Sequence, residues 1–540
     1  MNTAESDTAT SEVGPWSPLR VTIFRSLWIA GLVSNLGTFM HLVAVGWAIT
    51  SLTSSPAVVS LAQAAWTVPG FLLALLAGAF ADVVDRRRLI IATQACSMVF
   101  AGVLGTLEVS GRLTVVELLV LTFLLSSAMT MSAPAFMALT PELVERDHLP
   151  AAIGLNSISS NIAQSVGPAL AGIVIAASGP GAVFFVNTAS FLGIVAVVRA
   201  YHPAESVPLP AEHIVAAMRT GAAYFLNSPR LMVLASRVVL ALTATSALSA
   251  LLPIIARSQL HASAGQFGLL STAMGVGAVA AVWLLPRINR RTTPDVVVIG
   301  ASVVWAIGAA TFAWAHSMPS ALLGLTFAGA GTMATMNVVF SMYTTLLPAW
   351  VRGRASSVMM LVVWLGASVG AVGWGTLGSA VGVRSALACA AIAHVVTTAI
   401  ASVVLRLGTR EPPDITPIVW ALPEPQVAPS PATGPVLVTI EWRIDPLNAE
   451  QFTVAMAPIR RMRRRDGATG WGLFHDIEDP GRVLETFTVA TWAEHERQHH
   501  RSVASDAATQ RPALSLVIDD GPHVRHLITH ITRSSTAKRR

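Results

Sequence analysis

The chain has 540 residues, 53% of them hydrophobic and only 12% charged; soluble domains carry about 25% charged residues, so a soluble globular protein is excluded. The formal charge of +6 and the pI near 10.2 do not point to nucleic acid, because up to residue 410 the arginines cluster in short loops between apolar runs. Those runs are each long enough for a hydrocarbon core of about 30 Å, and in lipid they must be helical so that every backbone amide finds an internal partner.

The opening MNTAESDTATSEVGP is polar and acidic, unlike a cleavable signal. Residues 1–20 are therefore expected to be a disordered cytoplasmic tail. Twelve membrane helices are expected near 27–49, 57–81, 89–109, 114–136, 151–177, 181–198, 232–255, 264–286, 296–315, 319–342, 355–379 and 383–405. The segment 201–231 between helices six and seven divides them into an N-terminal half, 21–200, and a C-terminal half, 232–406. Within that segment AEHIVAAMRTGAAYFL has helical periodicity.

Arginine sorting orients the bundle. One face receives the loops with Arg20, Arg25, the Arg86–Arg88 run, Arg146, Arg199, Arg219, Arg230, Arg287, Arg290, Arg291, Arg352, Arg354, Arg406 and Arg410, while Arg112, Arg257 and Arg384 fall on the other. By the positive-inside rule both ends of the bundle face the cytoplasm. Arg237, early in helix seven, is expected to snorkel to that interface. Cys96 and Cys389 both lie within apolar runs and read as small core residues.

Between helices two and three the chain reads GAFADVVDRRRLI. Gly78 shares a helix face with Asp82 and leaves room for another helix. Asp82, near a helix C-terminus where the dipole is already negative, needs a cationic or helix-N-terminal partner. ASS at 355–357, after VRGR, offers such an N-terminus in the other half. The halves echo each other: LTPELV at 139–144 recurs as LLPAWV at 346–351, and DRR at 85–87 as NRR at 289–291. Duplication is the reading.

The order Gly78, Asp82, Asp85, Arg86, Arg87, Arg88 resembles the loop signature Gly-x-x-x-Asp-x-x-x-Arg-Arg/Lys of the major facilitator superfamily, with Asp85 where a small residue often stands. FRSLWIAGLVSNLGTFMHLVAVGW, ALTPELVERDHLPAAIGLNSISSNIAQSVGPALAG and PAWVRGRASS are similar to its bacterial branch of enterobactin exporters and transmembrane secretion effectors. The resemblance implies that Asp82, with an arginine of the 86–88 run, latches the two halves on the cytoplasmic side and releases them as the transporter switches. It also implies that helices one, four, seven and ten line a central cavity, with two, five, eight and eleven beside it. Asn35, His41, Asn161, Asn337 and Trp364 are then cavity candidates; interhelical hydrogen bonding, or packing for Trp364, is the alternative for each. Glu108 and Glu117 fall at outer helix ends, so no acid stands at mid-membrane, and His41 is the titratable group best placed for a coupling proton. Proton coupling itself comes from the resemblance. No Walker-type motif is present to suggest a built-in ATPase.

After the helices, a Pro-rich linker (407–434) leads to a soluble region (435–530) and a basic tail (531–540). PVLVTIEWRI alternates like a strand, PLNAEQFTVAMAPIRRMRRR is helical, TGWGLFHDI and RVLETFTVATW pair around DPGR, AEHERQHHRSVASDAATQ is helical and HVRHLITHI is a strand. The order β-α-β-β-α-β is ferredoxin-like. It resembles small α+β domains of antibiotic-biosynthesis monooxygenases and heme-handling proteins, which pair in dimers. His495 and His499 have i, i+4 metal spacing. With no third ligand assignable, they read as part of a solvated basic face, and no metal site is assigned. RRMRRR at 460–465 reads as solvated or touching anionic lipid.

The expected protein is thus an all-α membrane protein of twelve helices with a C-terminal α+β domain. It moves a small molecule (siderophore, antibiotic or lipophilic drug) out across the inner membrane, without enzymatic activity, resident cofactor or nucleic-acid partner. Import by the same fold, or a tethered sensor or enzyme acting through the α+β domain, is the alternative.

Overall fold

Runs apolar around their whole circumference satisfy their amides as helices, and in the computed structural model of this chain they do so. Residues 14–201, 214–348, 350–408, 414–416, 418 and 429–528 are described, without the side chains of 75, 79, 81–83, 146 and 214–218. The helices are α1 (Thr22–Leu52), α2 (Pro56–Val83), α3 (Arg86–Val109), α4 (Val115–Leu143), α5 (Leu149–Ala200), α6 (Ile214–Leu226), α7 (Pro229–Ser258), α8 (Ala264–Asn289), α9 (Pro294–Ala313), α10 (Met318–Thr345), α11 (Arg352–Val381) and α12 (Val383–Val404). Among the described residues eleven helices, all of these but α6, are long and apolar enough to cross a membrane.

The difference from the twelve expected spans lies in α5. Its 52 residues contain both the fifth and the sixth span, separated by Gly179 at φ 78°, ψ 171° and by Pro180. Glycine holds that φ without a Cβ penalty, so the chain breaks direction there without leaving a loop. Residues 1–13 of the expected tail and 202–213 of the central segment lie outside the described residues.

The chain divides into two compact units. The first comprises 1–211, 236–339 and 359–408. In it α5 packs on α1, α3 and α8, α2 on α4, and α9 on α12. Several crossings need glycine: a Cβ on Gly277 would stand 1.9 Å from the Thr326 carbonyl oxygen, and one on Gly329 2.0 Å from that of Met274, so α8 and α10 meet backbone to backbone.

The second unit comprises 212–235, 340–358 and 409–540. Its sheet is antiparallel, with β1 (Val436–Arg443), β2 (Thr469–His475), β3 (Arg482–Val489) and β4 (His523–Ile528) in the order β2-β3-β1-β4. Helix α13 (Ala449–Arg465) joins β1 to β2, while α14 (Trp492–His499) and α15 (Ala504–Leu514) join β3 to β4. This is the ferredoxin-like order. The period-2 pattern of β1 buries Val436, Val438, Ile440 and Trp442 against Phe452, Met456, Ile459 and Met462 of α13.

Two expectations for this unit are corrected. The single helix expected over AEHERQHHRSVASDAATQ is two, broken after His499. The RRMRRR run is not simply solvated: Arg463 pairs with buried Glu485 at 3.1 Å, Arg465 binds Asp466 and Asp506 at 2.8 Å each, and Arg460 lies over Trp471. Burial disfavours ionising Asp466 and raises its pKa despite the Arg465 guanidinium beside it. Thr416 and Ile418 of the linker also lie on this domain, Ala504 N–H donating to Thr416 O and Ile418 N–H to Ser502 O, each at 2.9 Å.

Candidate transport pathway

The signature loop is built from local capping and long-range charge pairing. Asp85 is the N-cap of α3, its carboxylate accepting from the Arg88 backbone N–H at 2.8 Å. Arg86 pairs with Glu142 at the end of α4. Arg87 reaches the last turn of α5, its Nε donating to Val198 O at 3.0 Å and Nη2 to Arg199 O, where a cation suits the negative end of the helix. Arg86 and Arg87 therefore tie together the N-terminal half. The Arg88 side chain is exposed, and the Asp82 side chain lies outside the described residues. A Cβ on Gly78 would meet nothing within 4 Å among the described residues.

The C-terminal half has its own version of this clamp. Arg237 of α7, 4% exposed, pairs with Asp295 in the first turn of α9 and donates to Ser402 Oγ at 3.0 Å and Leu405 O at 3.1 Å at the end of α12. Asp295 also accepts from the Leu407 N–H at 3.1 Å. The expected snorkelling is thus replaced by a buried ion pair capping a helix. In each half a guanidinium at the loop end closes the last helix.

At the opposite end the halves grip one another. Arg257 of α7 lies over the Trp47 ring at 5.0 Å and reaches Thr50 Oγ1 at 3.2 Å, Ser51 Oγ at 2.5 Å and Trp47 O at 3.4 Å on α1. The Ala57 N–H donates to Ser379 Oγ at 2.9 Å. Along α2 and α11 the contact continues as Gly375 against Ser60, a Ser368–Thr67 hydroxyl bond of 2.8 Å, and Trp364 lying on Gly70, where a Cβ would be 2.7 Å from the indole. Glycines Gly172 and Gly268 make α5 and α8 meet equally closely.

Above this seal lies a cavity of about 170 Å³ between the halves, lined chiefly by Phe39, Gly46, Gln63, Pro168, Pro253, Phe267 and Met274, with Ser249 and Ser271 adding polar atoms. Ligand pockets run to about 300–1,000 Å³, so this cavity by itself is small for a large solute. None of the expected cavity residues lines it. Asn35 donates to Ser159 Oγ on α5 at 3.4 Å. His41 is 0% exposed against Phe184, with neither ring nitrogen hydrogen-bonded among the described residues. Asn161 is exposed on α5, Asn337 half-buried on α10, and Trp364 packs as described. Of the residues that do line it, Gln63 could have been noticed as a lone amide in an apolar run; Phe267 and Met274 carry no signal that distinguishes them from lipid-facing neighbours.

Twelve transits in two halves, joined at one end around a central cavity and carrying the Gly-x-x-x-Asp loop at the other, define a major facilitator superfamily transporter. The chain belongs to the transmembrane secretion effector family, whose model matches residues 13–535. It is 22% identical over 258 residues to the staphyloferrin A transporter of Staphylococcus aureus, the match covering 47% of this chain and 64% of that one. It is 26% identical over 319 residues to an enterobactin exporter of Citrobacter koseri, covering 55% and 75%. A bacterial homolog of the human lysosomal transporter Spinster has the same fold, with a TM-score of 0.57 at 14% identity over 72% of this chain and 96% of that one. The chain is accordingly a multi-pass membrane transporter of a small molecule and not an enzyme.

Proposed function

We propose that this transporter exports a siderophore, or a lipophilic drug or antibiotic of similar character, across the inner membrane by alternating access, drawing on the proton gradient. The observation that carries the reading is the asymmetry of the first unit. The halves are locked together at the Arg257 end, while a Cβ on Gly78 at the signature-loop end would meet nothing within 4 Å among the described residues. With the arginine-rich loops on the cytoplasmic side, this is the state that loads from the cytoplasm. The names of the relatives support the siderophore class, and the apolar lining with Gln63 and serine hydroxyls suits a solute with scattered polar groups.

The test is accumulation of labelled siderophores and antibiotics in efflux-deficient cells, with and without the protein and with a proton uncoupler. Lower accumulation, reversed by the uncoupler, is expected. Higher accumulation would turn the reading to import, and no change for any compound despite correct insertion would remove it.

Arg257 is then the far-side lock. Arg257→Ala should shift the resting population toward the outward-open state, since charge-assisted hydrogen bonds contribute about 1.5–3 kcal/mol. Spin-label distances across the Arg257 end should lengthen; unchanged distances would show that the glycine contacts alone close it.

We assign the C-terminal domain a regulatory role. Within the second unit Arg465 lies over the Tyr224 ring at 5.4 Å and Arg501 over Trp350 at 4.8 Å, the two rings meeting edge to face. Burial pushes the Tyr224 phenol up to about 12, so it stays neutral under the cation. The domain thereby holds α6 and the LLPAWV turn before α11. Exposed Phe474 and Leu527 on the open sheet face support pairing of two such domains.

A further inference from the structure

The sequence offers two histidines at i, i+4 and no third ligand; the fold of the second unit supplies one. Strand β4 pairs with β1 so that His526 stands opposite Val438, a residue buried under the helices, and His526 therefore faces the helix layer rather than the open side of the sheet. There it meets α14. His495 is 2% exposed, its ring 4.6 Å from that of His526 and 4.7 Å from that of His499. One ligating nitrogen from each of the three lies within 4.8 Å of the other two.

Several features distinguish this cluster from histidines that pack by chance. His495 Nε2 and His499 Nε2 are 3.1 Å apart, close to the edge of about 3.3 Å that a tetrahedral ion with bonds of about 2.0–2.1 Å requires. His495 Nδ1 and His526 Nε2 are buried without a hydrogen-bond partner among the described residues, an arrangement that costs free energy unless something else engages the rings. Trp492 lies against the cluster, tilted to His495 and edge to face with His526, its own indole N–H held by Glu496 at 2.8 Å.

We propose that His495, His499 and His526 form a three-histidine site for a late first-row divalent cation, zinc above all, with the fourth position left to water or an exogenous ligand. Imidazole donors suit zinc, copper, nickel and cobalt(II) rather than magnesium or calcium. The site would cross-link α14 to edge strand β4. Because α14 also carries Glu494, whose carboxylate pairs with Arg501 at 2.5 Å, the Arg501 that covers Trp350 hangs from the same helix as two of the ligands. Closing the widest gap needs a rotation of one ring.

The test uses the full chain, purified without a polyhistidine tag into lipid nanodiscs and stripped with chelator, then titrated with Co²⁺ and displaced by Zn²⁺. One ion per chain is expected, with the intense visible absorption of tetrahedral cobalt, and Zn²⁺ should raise the melting temperature of the C-terminal domain. His526→Gln, on the half-exposed edge strand, should weaken Zn²⁺ binding at least about a hundredfold, since outer-shell changes alone cost about 10–100-fold. His500→Gln and His523→Gln, on exposed neighbours, should leave it unchanged. Should His526→Gln not fold, His499→Gln serves in its place. Absence of stoichiometric binding by the wild-type chain overturns the site outright, as does wild-type affinity in either ligand variant.

Discussion

Asp82→Asn should abolish net transport while leaving membrane insertion and yield unchanged. In this structure a Cβ on Gly78, at the loop end of α2, would meet nothing within 4 Å among the described residues, and the proposed latch is expected to contribute to the state closed at that end. Arg86 pairs with Glu142 and Arg87 with the α5 carbonyls, so the expected cationic partner of Asp82 is the exposed Arg88. A hydrogen bond to a charged group contributes about 1.5–3 kcal/mol. Its loss would shift the equilibrium between the two states by about 10–150-fold, taking RT as about 0.59 kcal/mol. The substitution keeps size and removes only charge. Efflux measured in cells, with spin-label distances across the loop end, decides the matter; wild-type efflux in this variant would end the latch role of Asp82.

Arg237→Met should produce the largest loss of stability. The side chain is buried among Asp295, Ser402 Oγ and the Leu405 carbonyl, and its removal leaves the Asp295 carboxylate and the α12 C-terminus without their cation. Breaking one side of a buried pair costs about 3–5 kcal/mol, whereas replacing both partners is often close to neutral. The melting temperature in detergent should therefore fall sharply for Arg237→Met and recover substantially in Arg237→Met with Asp295→Asn. Arg237→Lys should lie between, because a single ammonium cannot span three acceptors in a planar fork. Equal melting of Arg237→Met and wild type would mean that the pair contributes nothing.

Much of the architecture is legible from composition and period. Lipid leaves a chain no option but helices, and so the apolar runs predict the spans, including the two limbs of α5 on either side of Gly179. The N-cap role of Asp85 and the capping box of Thr114 with Glu117 are local, reaching three residues. The candidate pathway is another matter. Asn35, His41, Asn161, Asn337 and Trp364 stand out as polar or bulky residues in apolar runs, but a helix has many faces and nothing local says which one meets the partner half. His41 lies against Phe184, and the small cavity beside the Arg257 end is lined by Phe39, Phe267 and Met274, whose types are the same as those of lipid-facing residues.

What the sequence by itself determined is whatever depends on neighbours along the chain: membrane helices, the alternation of Val436, Val438, Ile440 and Trp442, and the ferredoxin-like order of the tail. What only the tertiary structure decided is pairing between distant residues. Arg237 read as a snorkelling cation until α9 brought Asp295 beside it, and His495 as a solvated histidine until the register of β4 on β1 carried His526 beneath α14. The physical reason is the same in both cases. Hydropathy and capping act over a few residues, whereas charge partners and metal ligands are chosen by distance in space, which the chain acquires only when its helices and strands have packed.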